Sequence, residues 1–202
     1  MNPASIIDDE RLRSQIEFIV EIDKMKKILR RSLVTDGSKR ENDAEHSWHL
    51  ALMAILLKEY AEPGIDLLRV VGMVLVHDLV EIHAGDSFLY DPEAAKSKVE
   101  RETKAAEKLF PILQADQCEL IRGLWDEFEA ASTSEAKYAR ALDRLQPILL
   151  NYTSGGQTWL ENGVKLETAM EINLPIIARA SARLADFTED LLKNACKLGF
   201  LG

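Results

Sequence analysis

A histidine and two acids stand close together in the most apolar stretch of the chain, where they could hold a divalent metal ion. His77 and Asp78 are adjacent, and Glu81 follows them at i+4 and i+3, so all three lie on one side of a helix. Such groups are costly in an apolar helix unless they are paired or coordinate a metal. A histidine–aspartate pair that only hydrogen-bonds to itself and to the backbone is the alternative, and the residues alone leave both interpretations open.

The segment that carries these residues is predicted to be a central, buried helix. Over residues 65–82, apolar side chains occupy every angle of a helical wheel. Gly85 then supplies a residue that tolerates the left-handed conformation at a helix end. The pattern predicts one continuous helix that carries His77 and Asp78 in its interior.

A second histidine is predicted to reach the same point from the preceding helix. Asn42 and Glu45 have the spacing of a capping box, so His46 stands in the first turn of a helix that runs to about residue 60. Proline and glycine at 63–64 break that helix. If the two helices pack antiparallel, His46 and His77 meet, and a distant carboxylate could complete a metal site.

The rest of the chain also has helical periodicity. Phe18, Ile22, Met25 and Leu29 form an apolar stripe at spacings of four, three and four. Further helices are predicted over residues 92–110, 117–130, 134–152 and 175–198, with a loop at 154–156. Since no segment alternates β-branched residues, we predict an all-α fold with a single domain over residues 1–202.

Composition and charge exclude several classes of function. The chain has 202 residues and a net charge of −9, whereas a general nucleic-acid binder needs a basic surface. Its longest apolar run, residues 70–76, is too short to cross a membrane. Cys118 and Cys196 match no zinc or disulfide pattern, and no signal peptide is visible. We therefore expect a cytoplasmic protein without nucleic-acid or membrane partners.

Three motifs occur in a specific order along the chain. They are Glu45-His46-Ser47, then His77-Asp78-Leu79-Val80-Glu81, then Gly85-Asp86. Over about residues 15–150 this set resembles the HD-domain metal-dependent phosphohydrolases, in the branch that contains 5'-nucleotidases acting on deoxynucleoside monophosphates. The resemblance implies a helical bundle of the HD-domain type, with C-terminal helices over residues 158–202 packing on it.

The resemblance also implies the metal ligands, which are His46, His77, Asp78 and Asp143. From the residues alone, Asp143 could instead pair with Arg140 or Arg144 on a solvated helix face. Two nitrogen and two carboxylate ligands leave positions open for water and do not select sharply among metals. We expect one divalent ion, which is Mn, Co, Ni, Fe, Zn or Mg.

Two further acids match the catalytic positions of the family. A metal-activated water can attack phosphorus, and Glu81 has the spacing of the acid or base that the reaction needs. Asp86 would orient water or bind a sugar hydroxyl, although it could also cap a loop turn.

His49 and His83 are predicted to be structural or to lie near the site.

A basic segment is predicted to bind the phosphate. Residues 24–40 carry seven basic side chains and one acid, a local charge of +6 that would attract small anions, although a solvated helix face would show the same pattern. Arg31 stands fifteen residues before His46, where the family resembled here has an Arg-Trp pair that holds the nucleotide. Lys39 and Arg40 are further candidates for substrate binding.

The aromatic member of that pair is missing. Ser32 replaces the tryptophan and cannot stack on a base. We therefore expect little discrimination among bases, unless Trp48 or Phe88 supplies an aromatic surface.

Together these observations predict a metal-dependent phosphohydrolase that cleaves a phosphate monoester. The expected substrate is a (deoxy)nucleoside 5'-monophosphate, attacked by metal-activated water. One alternative is a phosphatase for a non-nucleotide or signalling-nucleotide ester, and another is a metal-stabilised helical binding protein without turnover. The family resemblance also leads us to expect a homodimer.

Overall fold

Helices form most of the regular structure, as the all-α prediction requires. The computed structural model describes residues 3–86, 89–90 and 92–202. The α-helices are α1 (Glu10–Ile22), α2 (Asp43–Leu56), α3 (Leu67–Val76), α4 (Glu81–Ala84), α5 (Pro92–Leu109), α6 (Ala115–Ala130), α7 (Ser134–Thr153), α8 (Gln157–Glu161), α9 (Leu166–Ala178) and α10 (Ala182–Lys197). Short 3-10 helices span Pro3–Ile6, Asp23–Lys27, Lys58–Tyr60 and Phe110–Ile112.

A two-stranded hairpin follows the first helix and was not predicted. Strands β1 (Leu29–Leu33) and β2 (Arg40–Asn42) pair antiparallel. Phe18 and Met25 are buried as the apolar stripe predicts, but Leu29 lies on β1 and is 58 % exposed. Because side chains alternate between the two faces of a strand, neighbouring residues of the hairpin point to opposite faces, which neighbouring residues of a helix do not.

Helices α2 and α3 pack against each other as predicted. The side chain of Asn42 accepts a hydrogen bond from the backbone N–H of Glu45, and the Glu45 side chain accepts one from Asn42, so the capping box is formed. The connection between the helices includes Gly64, whose φ of +89° suits glycine. This arrangement brings the start of α2 close to the end of α3.

The prediction of one continuous helix over residues 65–82 is wrong. Helix α3 ends at Val76, and α4 begins only at Glu81. Between them the backbone tightens into i+3 hydrogen bonds, from the N–H of Leu79 to the carbonyl of Val76 (3.0 Å) and from the N–H of Glu81 to the carbonyl of Asp78 (2.9 Å). One side of α3 also reaches solvent, since Leu68 is 81 % exposed.

One prediction for the C-terminal region is also wrong. Helices α5, α6 and α7 agree with the predicted helices to within a few residues. Pro175, which was expected to open the final helix, lies inside α9 instead. The last helix starts at Ala182, where the Ser181 side chain accepts a hydrogen bond from the N–H of Leu184. No side chain caps α9, so its start had no signal in the sequence.

The described residues form three apolar core clusters. The first joins α2, α3, α7 and neighbouring helices, and the second joins α1, α5 and α6. The third, called here the C-terminal cluster, contains Ile148, Trp159, Val164, Ala169, Leu192, Ala195 and Leu201. Within the described ranges, no helix is long and apolar enough to cross a membrane.

Candidate active site

The four residues predicted as metal ligands converge on one point. The Nε2 atom of His46 lies 3.1 Å from Oδ1 of Asp143 and 3.9 Å from Oδ2 of Asp78. The Nε2 atom of His77 lies 3.0 Å from Oδ2 of Asp78 and 3.6 Å from Oδ1 of Asp143. His46 comes from the first turn of α2, His77 and Asp78 follow α3 directly, and Asp143 lies on α7. The break after Val76 therefore coincides with the site.

The backbone selects the tautomer of His77. Its Nδ1 atom lies 3.0 Å from the carbonyl oxygen of Val74. Since a carbonyl only accepts, Nδ1 carries the proton and Nε2 presents its lone pair to the acids. That buried Nε2 atom has no hydrogen-bond partner among the described residues. An orphaned nitrogen of this kind suits a metal ligand.

A glutamine selects the tautomer of His46. Gln146 donates from Nε2 to the Glu41 carboxylate at 2.6 Å, so its Oε1 must face the imidazole. Oε1 lies 3.0 Å from Nδ1 of His46, which donates to it. The Nε2 atom of His46 is then left to face Asp143, so both imidazoles present a lone pair to the same point.

The donor set fits a divalent metal ion. Metal–ligand bonds of about 2.0–2.2 Å separate neighbouring donor atoms by about 3–3.5 Å, close to the separations of 3.0–3.9 Å among these atoms. Without a metal, burial lowers the pKa of His77, but the charges of Asp78 and Asp143 outweigh burial and raise it to about 10. The site is therefore one in which a positive charge is stabilised.

A second group of acids adjoins this point. Asp43, Asp78 and Glu81 each place a carboxylate oxygen within 4.8 Å of the others, and all three are buried. Burial, followed by the charge of Asp78, raises the pKa of Asp43 to about 7 and raises the pKa of Glu81 well above its usual value. Burial also raises the pKa of the half-buried Asp86. Burial therefore favours the protonated form of these carboxyl groups.

Arg30 contacts two of these acids. A guanidinium nitrogen of Arg30 lies 2.6 Å from Oδ2 of Asp78 and 3.5 Å from Oδ1 of Asp43. Burial lowers the pKa of Arg30, but the charges of Asp78 and Asp143 outweigh it and keep the pKa above its usual value. Its side chain is 14 % exposed, whereas the neighbouring Arg31 is an exposed residue.

A cavity of about 370 Å³ opens onto the site, a volume in the range of small-molecule sites. The predicted site residues Asp78, Glu81, Asp86, Asp143 and Arg31 all line it. Its other basic residues are Arg30, Lys98, Arg140 and Arg144. Two substrate-binding candidates lie elsewhere on the hairpin, since Lys39 pairs with Glu45 and Arg40 donates to the carbonyl of Arg31. Their role in substrate binding stays a prediction.

The candidates for an aromatic surface also lie elsewhere. Ser32 lines the cavity, but Trp48 is 62 % exposed and does not, and Phe88 lies outside the described residues. Tyr90 and Trp159 are the aromatic side chains of the cavity wall in the described part of the chain.

The two remaining histidines lie outside the cavity wall. His49 is behind the site, where its Nδ1 accepts a hydrogen bond from Gln146 at 3.2 Å. His83 lies 3.4 Å from the Glu21 carboxylate on the outer side. Neither lines the cavity, and each has a side-chain contact of its own, His49 with Gln146 and His83 with Glu21.

Several site residues were missed by the sequence reasoning. Glu41 and Asp43 flank the capping residue Asn42, and this buried pair could have been suspected from its position beside the Glu45-His46-Ser47 motif. Gln146 stands at i+3 from Asp143 on α7, which places it on the same face. Nothing in the sequence distinguished Arg30 from Arg31.

Comparison with known proteins places this geometry in a family. The sequence model of the HD domain matches residues 22–185. The 5'-deoxynucleotidase HDDC2 of Bos taurus is 28 % identical over 149 residues, which are 73 % of this chain and 71 % of that protein. The human 5'-deoxynucleotidase HDDC2 is 30 % identical over 138 residues, covering 68 % of this chain and 66 % of that protein.

Solved structures show the same relationship. A protein described as a predicted metal-dependent phosphohydrolase from Magnetospirillum magnetotacticum is 47 % identical, with a TM-score of 0.92 and full coverage of both chains. A Pyrococcus horikoshii protein is 24 % identical, with a TM-score of 0.60 over 91 % of this chain and 99 % of that one, and shares the fold.

Proposed function

The chain belongs to the HD-domain family and is a metal-dependent phosphohydrolase, and we propose that its substrate is a deoxynucleoside 5'-monophosphate. The convergence of His46, His77, Asp78 and Asp143 on one point carries this proposal, since Asp78 and Asp143 also line the cavity. Relatives named 5'-deoxynucleotidases support the choice of substrate. Glu81 and Asp86 in the cavity wall argue against a binding protein without turnover, which would need only the ligands.

The four ligands would hold one divalent ion, whose identity their donor atoms do not select. When bound, the ion supplies Lewis acidity toward the phosphate and lowers the pKa of water. Arg30 beside Asp78, with Lys98 and Arg144 on the wall, would bind phosphate oxygens and offset their charge. Arg31 at the same cavity would hold the phosphate or the sugar.

Glu81 is the residue that we assign to proton transfer. Burial, followed by the charge of Asp78, raises the pKa of Glu81 and so favours the protonated carboxyl group, and its buried Oε2 atom has no hydrogen-bond partner among the described residues. It would give this proton to the 5' oxygen as the ester bond breaks. Asp43, which has a carboxylate oxygen within 4.8 Å of one of Glu81, would be a positioning residue, and Asp86 would bind water or a sugar hydroxyl.

A substrate panel tests the proposal. Metal-free protein is loaded in turn with Mn²⁺, Co²⁺, Ni²⁺, Fe²⁺, Zn²⁺ or Mg²⁺ and supplied with deoxynucleoside monophosphates, ribonucleoside monophosphates, sugar phosphates and cyclic dinucleotides. We expect phosphate release from the deoxynucleoside monophosphates at the highest kcat/KM. A preference for a sugar phosphate or a signalling nucleotide would show that this compound is the substrate instead. If metal-loaded protein released phosphate from none of these compounds, the result would contradict the assignment as an enzyme.

We further propose that the protein is a cytoplasmic homodimer. Its two cysteines are free, as is usual in a reducing cytoplasm, and two adjoining helices carry exposed apolar side chains that a second copy could cover. On α2 these are Leu52, Ile55 and Leu56, and on α3 they are Leu68 and Leu75. A two-fold interface brings the same face of both copies together. An apolar face meets this requirement because it packs favourably against another apolar face. Light scattering should show a dimer that Ile55→Glu dissociates, whereas a monomeric parent protein would contradict the proposal.

We also propose that residues 1–202 act as one domain. The family motifs lie between the start of α2 and the end of α7, but Trp159 and Asn173 from the C-terminal region line the same cavity. Helix α9 packs on α7 and α10. A single cooperative unfolding transition, the same by fluorescence and circular dichroism, is the expected result.

A further inference from the structure

A second cavity, called here the basic cavity, has a wall in which every charged residue is basic. Its volume is about 200 Å³, and it is lined by Lys137, Arg140 and Arg179 together with Ala131 and Ile176. No acidic residue in the described part of the chain lines it, although the whole protein carries a net charge of −9. Three positive charges around one concave surface attract anions.

The ends of three helices form the basic cavity. Lys137 and Arg140 stand at i and i+3 on α7, so they share one face of that helix. Arg179 directly follows α9, which packs on α7, and Ala131 directly follows α6. The basic cavity therefore depends on how these helices pack, and no motif in the sequence indicates it.

Two of the three cations have no partner within the described ranges. The side chains of Lys137 and Arg179 make no hydrogen bond or ion pair with any described residue, although Lys137 is only partly exposed. The carbonyl groups at helix ends also attract cations, and Arg140 donates to the carbonyl of Glu129 at 3.1 Å. Helix ends thus explain the position of Arg140 but leave the charges of Lys137 and Arg179 unmatched.

We infer that the basic cavity binds a phosphate-type oxyanion and that its occupancy lowers the rate of hydrolysis. Three cations match a multiply charged anion, and the forked guanidinium groups of two arginines match phosphate oxygens. Sites that enclose a whole small molecule have volumes of about 300–1,000 Å³, so a cavity of about 200 Å³ suits a phosphate group and not a complete nucleotide. The effect on rate rests on the proposed function, whose product is inorganic phosphate, whereas the binding does not.

Arg140 connects the basic cavity to the active site, because it lines both cavities. Its guanidinium carbon lies 5.6 Å from the centre of the Phe128 ring, and that centre lies 4.7 Å from the centre of the His77 ring. An anion paired with Arg140 offsets one positive charge at the active-site wall and competes with Phe128 for the guanidinium. Occupancy therefore weakens the field that attracts the substrate and alters the packing behind the metal ligand His77.

Equilibrium dialysis of metal-loaded protein against radiolabelled phosphate tests the binding. We expect the parent protein to bind one more phosphate ion per chain than Lys137→Gln/Arg179→Gln. Lys165→Gln/Arg183→Gln is the matched control, because it removes the same charges from exposed positions outside both cavities, and it should bind as many ions as the parent. Equal numbers in the parent and in Lys137→Gln/Arg179→Gln would overturn the inference.

Phenylphosphonate distinguishes free phosphate from the phosphate group of a larger molecule. It carries a similar anionic group on a carbon atom and cannot be hydrolysed as an ester. If the parent and Lys137→Gln/Arg179→Gln differ with phosphate alone, the basic cavity takes the free ion. If they differ with both probes, it is open to larger phosphorylated molecules.

Inhibition kinetics test the effect on rate. Phosphate in the active site competes with substrate and raises only the apparent KM, whereas phosphate in the basic cavity also acts on protein with bound substrate. We expect saturating phosphate to lower kcat about two-fold or more in the parent and to leave it unchanged in Lys137→Gln/Arg179→Gln. An unchanged kcat in an active parent protein would overturn the effect on rate. A lack of any hydrolysis would contradict the proposed function and this effect with it, whereas the dialysis result would stand.

Discussion

The Nδ1 atom of His46 lies 3.0 Å from the Oε1 atom of Gln146, and this contact decides which imidazole nitrogen faces Asp143. Gln146 cannot rotate its amide without losing the 2.6 Å hydrogen bond that it donates to Glu41. One neutral side chain therefore connects a buried carboxylate to a metal ligand and holds the ligand in the binding tautomer.

Replacement of Gln146 should weaken metal binding. Gln146→Leu removes the acceptor of the His46 Nδ1 proton and leaves Glu41 buried without its donor, so we expect metal affinity to fall about 10–100-fold. Competition with a chromophoric chelator measures the affinity. Gln157→Leu is the control, since Gln157 makes an exposed bond to Glu161. Unchanged metal affinity in a folded Gln146→Leu protein would contradict the orienting role.

Loss of a ligand should remove the metal and destabilise the fold. His77→Ala and Asp78→Ala each leave the other buried charges of the site unmatched, and Asp78→Ala also leaves Arg30 without its closest partner. We expect no stoichiometric metal by elemental analysis and a free energy of unfolding lower by about 3 kcal/mol. His83→Ala, outside the cavity, should keep the metal. Full occupancy in both ligand variants would disprove the ligand assignment.

Glu81→Gln should keep the metal but lose most turnover. The amide has nearly the shape of the carboxyl group, but it cannot exchange a proton during the reaction. General acid–base groups contribute about 10²–10⁴-fold to rate, so kcat should fall by that factor while thermal stability stays near that of the parent protein. If kcat stays within about three-fold of the parent value, Glu81 has no part in proton transfer.

Arg31→Ala should impair all monophosphate substrates by the same factor. Arg31 lines the cavity and, by the family resemblance, holds the phosphate or sugar that every substrate shares. Hydrogen bonds to charged groups contribute enough to lower kcat/KM by about 10–100-fold. Arg183→Ala is the control, because Arg183 is exposed on α10 and does not line the cavity. A loss confined to one base would assign Arg31 to base recognition instead.

The stability of the metal-free protein should fall as pH rises. The folded state raises the pKa of His77 from 6.5 to about 10, because Asp78 and Asp143 outweigh burial. The bound proton therefore stabilises the fold fully below a pH of about 6.5, and this contribution disappears as pH passes about 10. Urea unfolding across this window should show the loss for metal-free protein and much less for metal-loaded protein, whose ligand nitrogens carry no proton. A flat profile without metal would contradict the shift.

The chemistry of the site could be predicted from local sequence. The capping box at Asn42 places His46 in the first turn of a helix by contacts within one turn, so a short stretch of sequence is sufficient. The adjacency of His77 and Asp78 and the spacing to Glu81 are likewise local. The ordered motifs then indicated the family, which the matching HD-domain model confirms.

Long-range contacts decided what the sequence did not reveal. The sequence does not distinguish Arg30 from Arg31. On β1, however, their side chains point to opposite faces, and pairing with β2 turns Arg30 toward Asp78, which lies 48 residues later in the chain. The break after Val76 likewise depends on what packs around residues 77–80. Local propensity favoured a continuous helix there, and tertiary packing overrode it.

The cavity wall also depends on long-range contacts. Asn151 and Asn173 come from different helices, and Gln146 reaches His46 across 100 residues of chain. Motif spacing can identify groups that lie within a few helical turns of one another. Which distant groups meet depends on how α7 and α9 pack, because burial and cavity shape are properties of all the helices together. The sequence by itself thus predicted the ligand residues, and the tertiary structure determined which side chains orient them and the shape of the cavity beside them.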